Sequence, residues 1–88
     1  MSSSSPNSYL ITFYTTSQAL RLEKEVKKNN LKAQVIPVPR ELSSSCGLAL
    51  RVETEEKRLL KLLEELTPPF DYLYQSRNGG YREVIEGE

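Results

Sequence analysis

The sequence predicts one two-layer α+β domain, in which two helices cover one side of an antiparallel sheet. Short runs rich in β-branched and aromatic residues recur along the chain, as expected of strands. Between them lie two segments whose apolar residues repeat at helical spacing. With 88 residues the chain is long enough for one modest core and too short for two.

The first strand and helix are predicted over residues 8–30. Residues 8–14 (SYLITFY) form a buried strand, and Thr15, Thr16 and Ser17 then offer N-cap oxygens for a helix. The apolar stripe of that helix consists of Ala19, Leu22 and Val26. Two lysines complement its negative end, and the Asn29–Asn30 pair can adopt the left-handed conformation that stops a helix.

A second and a third strand are predicted over residues 31–38 and 47–52. Pro37 and Pro39 cannot donate ladder hydrogen bonds, so the end of the second strand must lie at a sheet edge or terminate there. Thr54 is predicted to cap a second helix. The apolar face of that helix consists of Leu59, Leu62, Leu63 and Leu66.

A fourth strand is predicted within residues 70–77, centred on Tyr72–Tyr74. Asn78-Gly79 is a type I′ turn signal, so residues 81–85 can return as a hairpin partner. The order β-α-β-β-α-β favours a ferredoxin-like sandwich with a four-stranded sheet and an optional fifth strand. Residues 1–7 are expected to be a flexible polar leader, residues 8–77 the domain, and residues 78–88 a hairpin strand or a frayed tail.

Composition excludes several classes of function. Twelve basic residues balance twelve acidic ones, which argues against nucleic-acid binding and against docking to an anionic membrane. No apolar run is long enough to cross a bilayer, so we expect a cytoplasmic protein. Without histidine, no imidazole-based catalytic triad can form, and with a single cysteine a metal site is not expected. No cofactor is predicted.

The chemically distinctive segment is residues 36–51, IPVPRELSSSCGLALR. A thiol reacts as its thiolate, which nearby cations and N–H donors stabilise. The candidate reactive group is Cys46, and the candidate supporting residues are Arg40, Ser44, Ser45, Gly47 and Arg51. A buried, inert cysteine at the start of a strand is the competing interpretation.

This segment and the strand-helix start at residues 9–22 resemble the selenium/sulfur carrier protein-like family. The resemblance extends from about Tyr9 to Tyr74. It implies a bacterial carrier, from an anaerobe, that holds sulfur or selenium on Cys46. Such a carrier receives the atom from a desulfurase-type donor protein and passes it to an acceptor protein. We therefore expect a carrier rather than a complete enzyme.

Two other functions are compatible with the same residues. The segment from Arg40 to Gly47 could bind an anionic ligand or a protein while Cys46 serves only in packing. Alternatively, Cys46 could be a regulatory thiol that is oxidised reversibly. The uncovered sheet face and the edge strands are also compatible with a homodimer.

Overall fold

The computed structural model describes residues 7–42, 47–66, 69–77 and 80–86. The elements follow the order β1 (Asn7–Thr12), α1 (Thr16–Lys28), β2 (Lys32–Pro37), β3 (Leu48–Thr54), α2 (Glu56–Leu66), β4 (Tyr72–Arg77) and β5 (Gly80–Glu86). Neither helix is long and apolar enough to span a membrane. Of the predicted leader, only Asn7 lies within the described residues, and it is the first residue of β1.

The sheet has five strands in the order β2-β3-β1-β4-β5, and every neighbouring pair is antiparallel. The predicted α+β class with two helices and an antiparallel sheet is confirmed. The predicted count of four strands is wrong, because the strand predicted as optional, β5, pairs with β4 as a fifth strand. The strand order differs from the ferredoxin-like order by this addition. The hairpin is closed by the pairing of Arg77 with Gly80. The predicted turn at Asn78-Gly79 lies outside the described residues.

Strand β1 occupies the centre of the sheet and determines where the core lies. Its residues pair on one side with β3, as Ile11 does with Leu50, and on the other side with β4, as Ile11 does with Leu73. Alternate residues of a strand point to opposite faces. The face covered by the helices carries the buried sheet residues Tyr9, Ile11, Phe13, Leu50, Val52 and Leu73.

Helix α1 is capped by the first of the three predicted N-cap candidates. Thr15 is its N-cap, and the Thr15 Oγ1 accepts a hydrogen bond from the Gln18 backbone N–H at 3.3 Å. The Gln18 Oε1 in turn accepts from the Thr15 backbone N–H at 3.3 Å, which completes a capping box. The predicted stripe of Ala19, Leu22 and Val26 is buried. At the other end, Asn30 has φ 63°, the left-handed conformation expected after a helix.

Helix α2 begins at Glu56, one residue later than it would if Thr54 were its N-cap. Thr54 belongs to β3, where it pairs with Asn7 and is buried, so the prediction that it caps α2 is wrong. The ladder to β1 already uses the backbone of Thr54, which keeps it extended. The leucine face is confirmed: Leu59, Leu62 and Leu63 are buried, and Leu66 packs at its margin.

Strand β2 lies at a sheet edge, which explains how it accommodates Pro37. The Val38 N–H donates to the Gly47 carbonyl at 3.0 Å, and the β2–β3 register pairs Ile36 with Ala49. Hydrogen-bonded pairs alternate along an antiparallel ladder, so Ile36 directs its backbone groups toward β3 and Pro37 directs its nitrogen outward. Because no strand of the described residues pairs with the outer side of β2, the missing N–H of Pro37 costs the sheet nothing.

The Tyr9 phenol links the start of β1 to the first turn of α2. Tyr9 is 1% exposed, and its hydroxyl donates to Glu56 Oε1 at 3.4 Å. Burial raises the pKa of Tyr9 above 10.0, and the Glu56 charge adds to this rise. The hydrogen bond from Asn7 acts in the opposite direction.

This raised pKa makes stability fall in alkaline solution. The unfolded chain loses the Tyr9 proton near pH 10.0, whereas the folded protein keeps it to higher pH. The contribution of protonated Tyr9 to the free energy of unfolding is therefore complete below pH 10.0. It is lost as pH rises through the pKa of Tyr9 in the folded protein. Denaturant unfolding at about pH 9 and about pH 11 is expected to show a smaller alkaline loss in Tyr9→Phe than in the wild type. Tyr14→Phe, at an exposed position, is the control. An unchanged loss in Tyr9→Phe would contradict the assignment.

Candidate functional site

The candidate site is the connection between β2 and β3, residues 38–47. Its two ends are joined by the hydrogen bond from the Val38 N–H to the Gly47 carbonyl, which continues the β2–β3 ladder by one pair. Its first half contains a turn in which the Leu42 N–H donates to the Pro39 carbonyl at 3.0 Å. The predicted residues Ser44, Ser45 and Cys46 lie outside the described residues.

Gly47 is the described residue bonded directly to Cys46, and its backbone conformation depends on its being glycine. Its φ is +76°, in the left-handed region that side chains disfavour. A Cβ built on Gly47 would meet no atom of the described residues within 4 Å. Any cost of a substitution here therefore comes from the backbone conformation rather than from a clash.

Gly47→Ala is expected to reduce the free energy of unfolding by about 1–2 kcal/mol, the cost of a left-handed conformation for an L-residue. Denaturant unfolding measures this change. Gly47→Asn should cost less, because asparagine tolerates the left-handed region better than alanine. A D-alanine introduced at position 47 by chemical synthesis should cost nothing, since the open space admits its Cβ and its preferred φ is positive. Equal losses for L- and D-alanine would rule out a conformational origin.

The two predicted cations lie in different settings. Arg40 is exposed within the turn that follows β2. Arg51 lies on β3, four residues beyond Gly47, and its Nη2 is 3.1 Å from the Glu53 Oε2. The charge partner of Arg51 in this structure is thus a carboxylate of its own strand. The structure brings Arg40 and Gly47 into one connection and places Arg51 further along the sheet.

The strand register brings other residues to the same end of the sheet. Ala49, two residues after Gly47, pairs with Thr12, and Thr12 pairs with Tyr72. The Thr12 hydroxyl accepts a hydrogen bond from the Tyr72 backbone N–H at 3.1 Å. Sequence reasoning did not assign Thr12 or Tyr72 to this neighbourhood. The spacing of these two residues along the chain does not indicate that they lie near the start of β3. Only the pairing of distant strands reveals this proximity.

The N-terminus of α1 is located at this end as well. Thr12 is the last residue of β1, and the N-cap Thr15 follows three residues later. A helix N-terminus carries a partial positive charge that stabilises anions. The first turn of α1 contains no acidic residue that would offset this charge. The connection that contains Cys46 therefore starts and ends at the same end of the sheet as the N-terminus of the 13-residue helix α1.

The sheet face opposite the helices carries three tyrosines on β4 and β5. The rings of Tyr72 and Tyr74 are 5.8 Å apart and tilted by 35°. Burial is the main cause that raises the pKa of Tyr74, and the nearby Glu83 carboxylate adds to it. A groove of about 280 Å³ borders this face and is lined by Ser8, Tyr9, Leu10, Ile36, Arg51, Ser76 and Tyr81.

Comparison with known proteins gives one family and one relative. Residues 8–75 match the family described as "Putative Se/S carrier protein-like". The chain is 33% identical over 79 residues to a "Putative sulfur carrier protein" of Aquifex aeolicus (strain VF5), a match that covers 86% of this chain. The chain spans 40% of the length of that relative. No solved structure gives a significant match.

Proposed function

The chain belongs to the Se/S carrier protein-like family, and from this premise we propose that it carries one sulfur or selenium atom on Cys46 between two other proteins. The observation that carries the proposal is the position of Gly47, the residue bonded to Cys46, at one end of the sheet. Gly47 is fixed there by the hydrogen bond from Val38, at the end where α1 begins.

The first step of the proposed cycle is thiolate attack on a donor persulfide. The Cys46 thiolate attacks the terminal sulfur of the donor and forms a new S–S bond. The donor S–S bond breaks, and the donor thiolate leaves with the electron pair. The step gives Cys46–S–SH and needs no external oxidant. An acceptor thiolate then attacks the terminal sulfur in the same way, which regenerates Cys46 as a thiolate.

The surroundings of the connection support an anionic sulfur. The positive end of α1 and its first turn without acidic residues favour negative charge near this end of the sheet. Arg40 adds an exposed guanidinium within the connection. Gly47, with φ +76°, provides a backbone N–H in a conformation from which anion-binding nests are built. In this proposal Ser44 and Ser45 supply hydroxyl donors.

Arg51 has a more distant role in the proposal. Its guanidinium is engaged by Glu53, so it contributes to the charge around β3 rather than to direct contact with the sulfur. Breaking that ion pair would be required for Arg51 to reach the connection. Arg40→Ala is therefore expected to slow sulfur loading more than Arg51→Ala.

The test is the pH dependence of thiol alkylation in the folded protein, followed by intact mass after exposure to a sulfane-sulfur donor. We expect alkylation well below the ordinary thiol pKa of about 8.5 and a reductant-reversible mass gain of one sulfur atom. A thiol that reacts only after unfolding would overturn the proposal. A thiol that alkylates readily yet gains only oxygen would indicate a redox-regulated residue instead.

A further inference from the structure

Two of the most exposed large apolar side chains among the described residues belong to the start of α1. Tyr14 is 44% exposed beside the N-cap, and Leu20 is 51% exposed in the second turn. A third, Ile85, is 37% exposed and lies on β5 at the far edge of the sheet. Single exposed apolar residues are common on protein surfaces, so the meaning of Leu20 depends on its surroundings.

Leu20 lies on the flank of α1 that faces away from α2. The opposite flank, with Gln18 and Glu25, borders a groove of about 590 Å³ whose other wall includes Leu66 at the end of α2. A helix turns by about 100° per residue, which places Leu20 about 140–160° round the helix from Gln18 and Glu25. Because α1 packs on β2 and β3, the flank with Leu20 overhangs the edge strand β2.

Strand β2 adds apolar surface beneath this flank. Ala33 and Val35 are half-buried and pack against the core from the helix side of β2. Pro37, two residues further along, lies on the same side of the strand and is exposed. Leu20, Val35 and Pro37 thus follow one edge of the domain, and we call them the α1–β2 strip.

The α1–β2 strip leads directly to the connection that contains Cys46. Pro37 is the last residue of β2, and the next residue, Val38, donates to the Gly47 carbonyl at 3.0 Å. Because neighbouring strands are about 4.8 Å apart, Gly47 lies within about 10 Å of this end of the strip. A protein that exchanges sulfur with residue 46 must bring its own sulfur to the same place.

The charges beside the strip leave one cation uncompensated. Lys27 is 3.3 Å from Glu23, so these two charges offset each other. In the connection, Arg40 and Glu41 are adjacent and of opposite charge. Lys24, one helical turn beyond the exposed leucine, is exposed and has no ion pair with any described residue. A carboxylate on a partner would complement it.

We propose that the α1–β2 strip is the docking surface for the protein that donates sulfur to Cys46, an inference that rests on the proposed carrier function. The donor presents an apolar pocket for Leu20 and a carboxylate at the rim for Lys24. Transient interfaces of this kind take most of their energy from one or two anchors. Because Pro37 offers no outward N–H for strand pairing, the donor docks through side chains and does not extend the sheet.

The test compares the loading of Cys46 by two kinds of donor, measured by intact mass. The protein donors are the cysteine desulfurases of the source organism, each supplied with L-cysteine. The small donor is inorganic polysulfide, from which the thiolate takes one sulfur while a shortened polysulfide leaves with the electron pair. Leu20→Gln should lower kcat/KM for loading by a desulfurase about tenfold, because docking would bury an unpaired amide. Loading by polysulfide should not change.

Ile85→Gln is the matched control, because it makes a similar change at an exposed position on the far edge of the sheet. It should load like the wild type from both donors. Lys24→Gln should lower kcat/KM for the desulfurase about threefold and weaken its dependence on ionic strength. Lys61→Gln, exposed on α2, should do neither.

The two donors distinguish failure of docking from failure of the carrier function. A wild type that polysulfide cannot load would contradict the carrier function and the docking inference together. If polysulfide loads the wild type, two results would overturn docking alone: no desulfurase loads it, or Leu20→Gln is loaded by the desulfurase as fast as the wild type. A sedimentation mass that rises above 10.1 kDa with concentration in the wild type, but not in Leu20→Gln, would assign the strip to a second copy instead.

Discussion

Replacement of Cys46 by alanine is expected to abolish the donor-dependent mass gain completely. Cys46 is the single cysteine of the chain, so no second thiol can accept sulfane sulfur in its place. A serine hydroxyl is not a substitute, because an oxygen attached to sulfur does not transfer it by thiol exchange. Intact mass after incubation with the donor measures the effect, and transfer of the label to an acceptor thiol measures the second half of the cycle.

A matched variant distinguishes the effect of the thiol itself from the effect of the residues around it. Arg40→Ala retains Cys46 and should load more slowly, with the alkylation profile displaced to higher pH because a nearby cation is lost. The free energy of unfolding of Cys46→Ala should equal that of the wild type to within about 0.5 kcal/mol, if residue 46 is not part of the core. Full loading of Cys46→Ala would end the carrier proposal, whatever its stability.

Leu59→Ala is expected to produce the largest loss of stability. Leu59 is fully buried in the core that α2 shares with the sheet. Truncation removes buried methyl groups and leaves a cavity, which costs about 3–5 kcal/mol for a leucine of this kind. Because domains of this size are stable by only about 5–15 kcal/mol, the loss should lower the melting temperature by more than about 10 °C.

Leu20→Ala is the matched control, because it makes the same change in a helix at a surface position. Leu20 is 51% exposed on α1, so its truncation opens no cavity, and alanine has the higher helix propensity. Its unfolding free energy should stay within about 0.5 kcal/mol of the wild type. Equal losses in Leu20→Ala and Leu59→Ala would contradict the assignment of the core.

Local patterns were sufficient to predict the helices and most strands. The stripes of α1 and α2 appear in the sequence because a helix against a sheet needs an apolar residue every three or four positions. Thr15 and Asn30 were identifiable because caps and left-handed positions select particular side chains. Thr54 was mistaken for a cap, since a threonine before acidic residues has the same local pattern at the end of a strand.

The candidate site was only partly predictable. The unusual setting of Cys46 is a property of adjacent residues and is visible in the chain itself. The proximity of Thr12 and Tyr72 to the β3 start is not, because it depends on strands up to 60 residues apart. The separation of Arg51 from the connection follows from its place on β3, four residues beyond Gly47, and its ion pair with Glu53 was not predicted from the sequence.

Local sequence information is sufficient to identify which segments are helix and strand, where the core leucines lie, and that Cys46 is the single thiol of the chain. These are decided by local propensity, by periodicity and by the chemistry of single side chains. The five-strand order and the central place of β1 are visible only in the tertiary structure. The physical reason is that strand pairing depends on backbone hydrogen bonds between distant segments, which every residue except proline can form and which therefore leave little trace in the sequence.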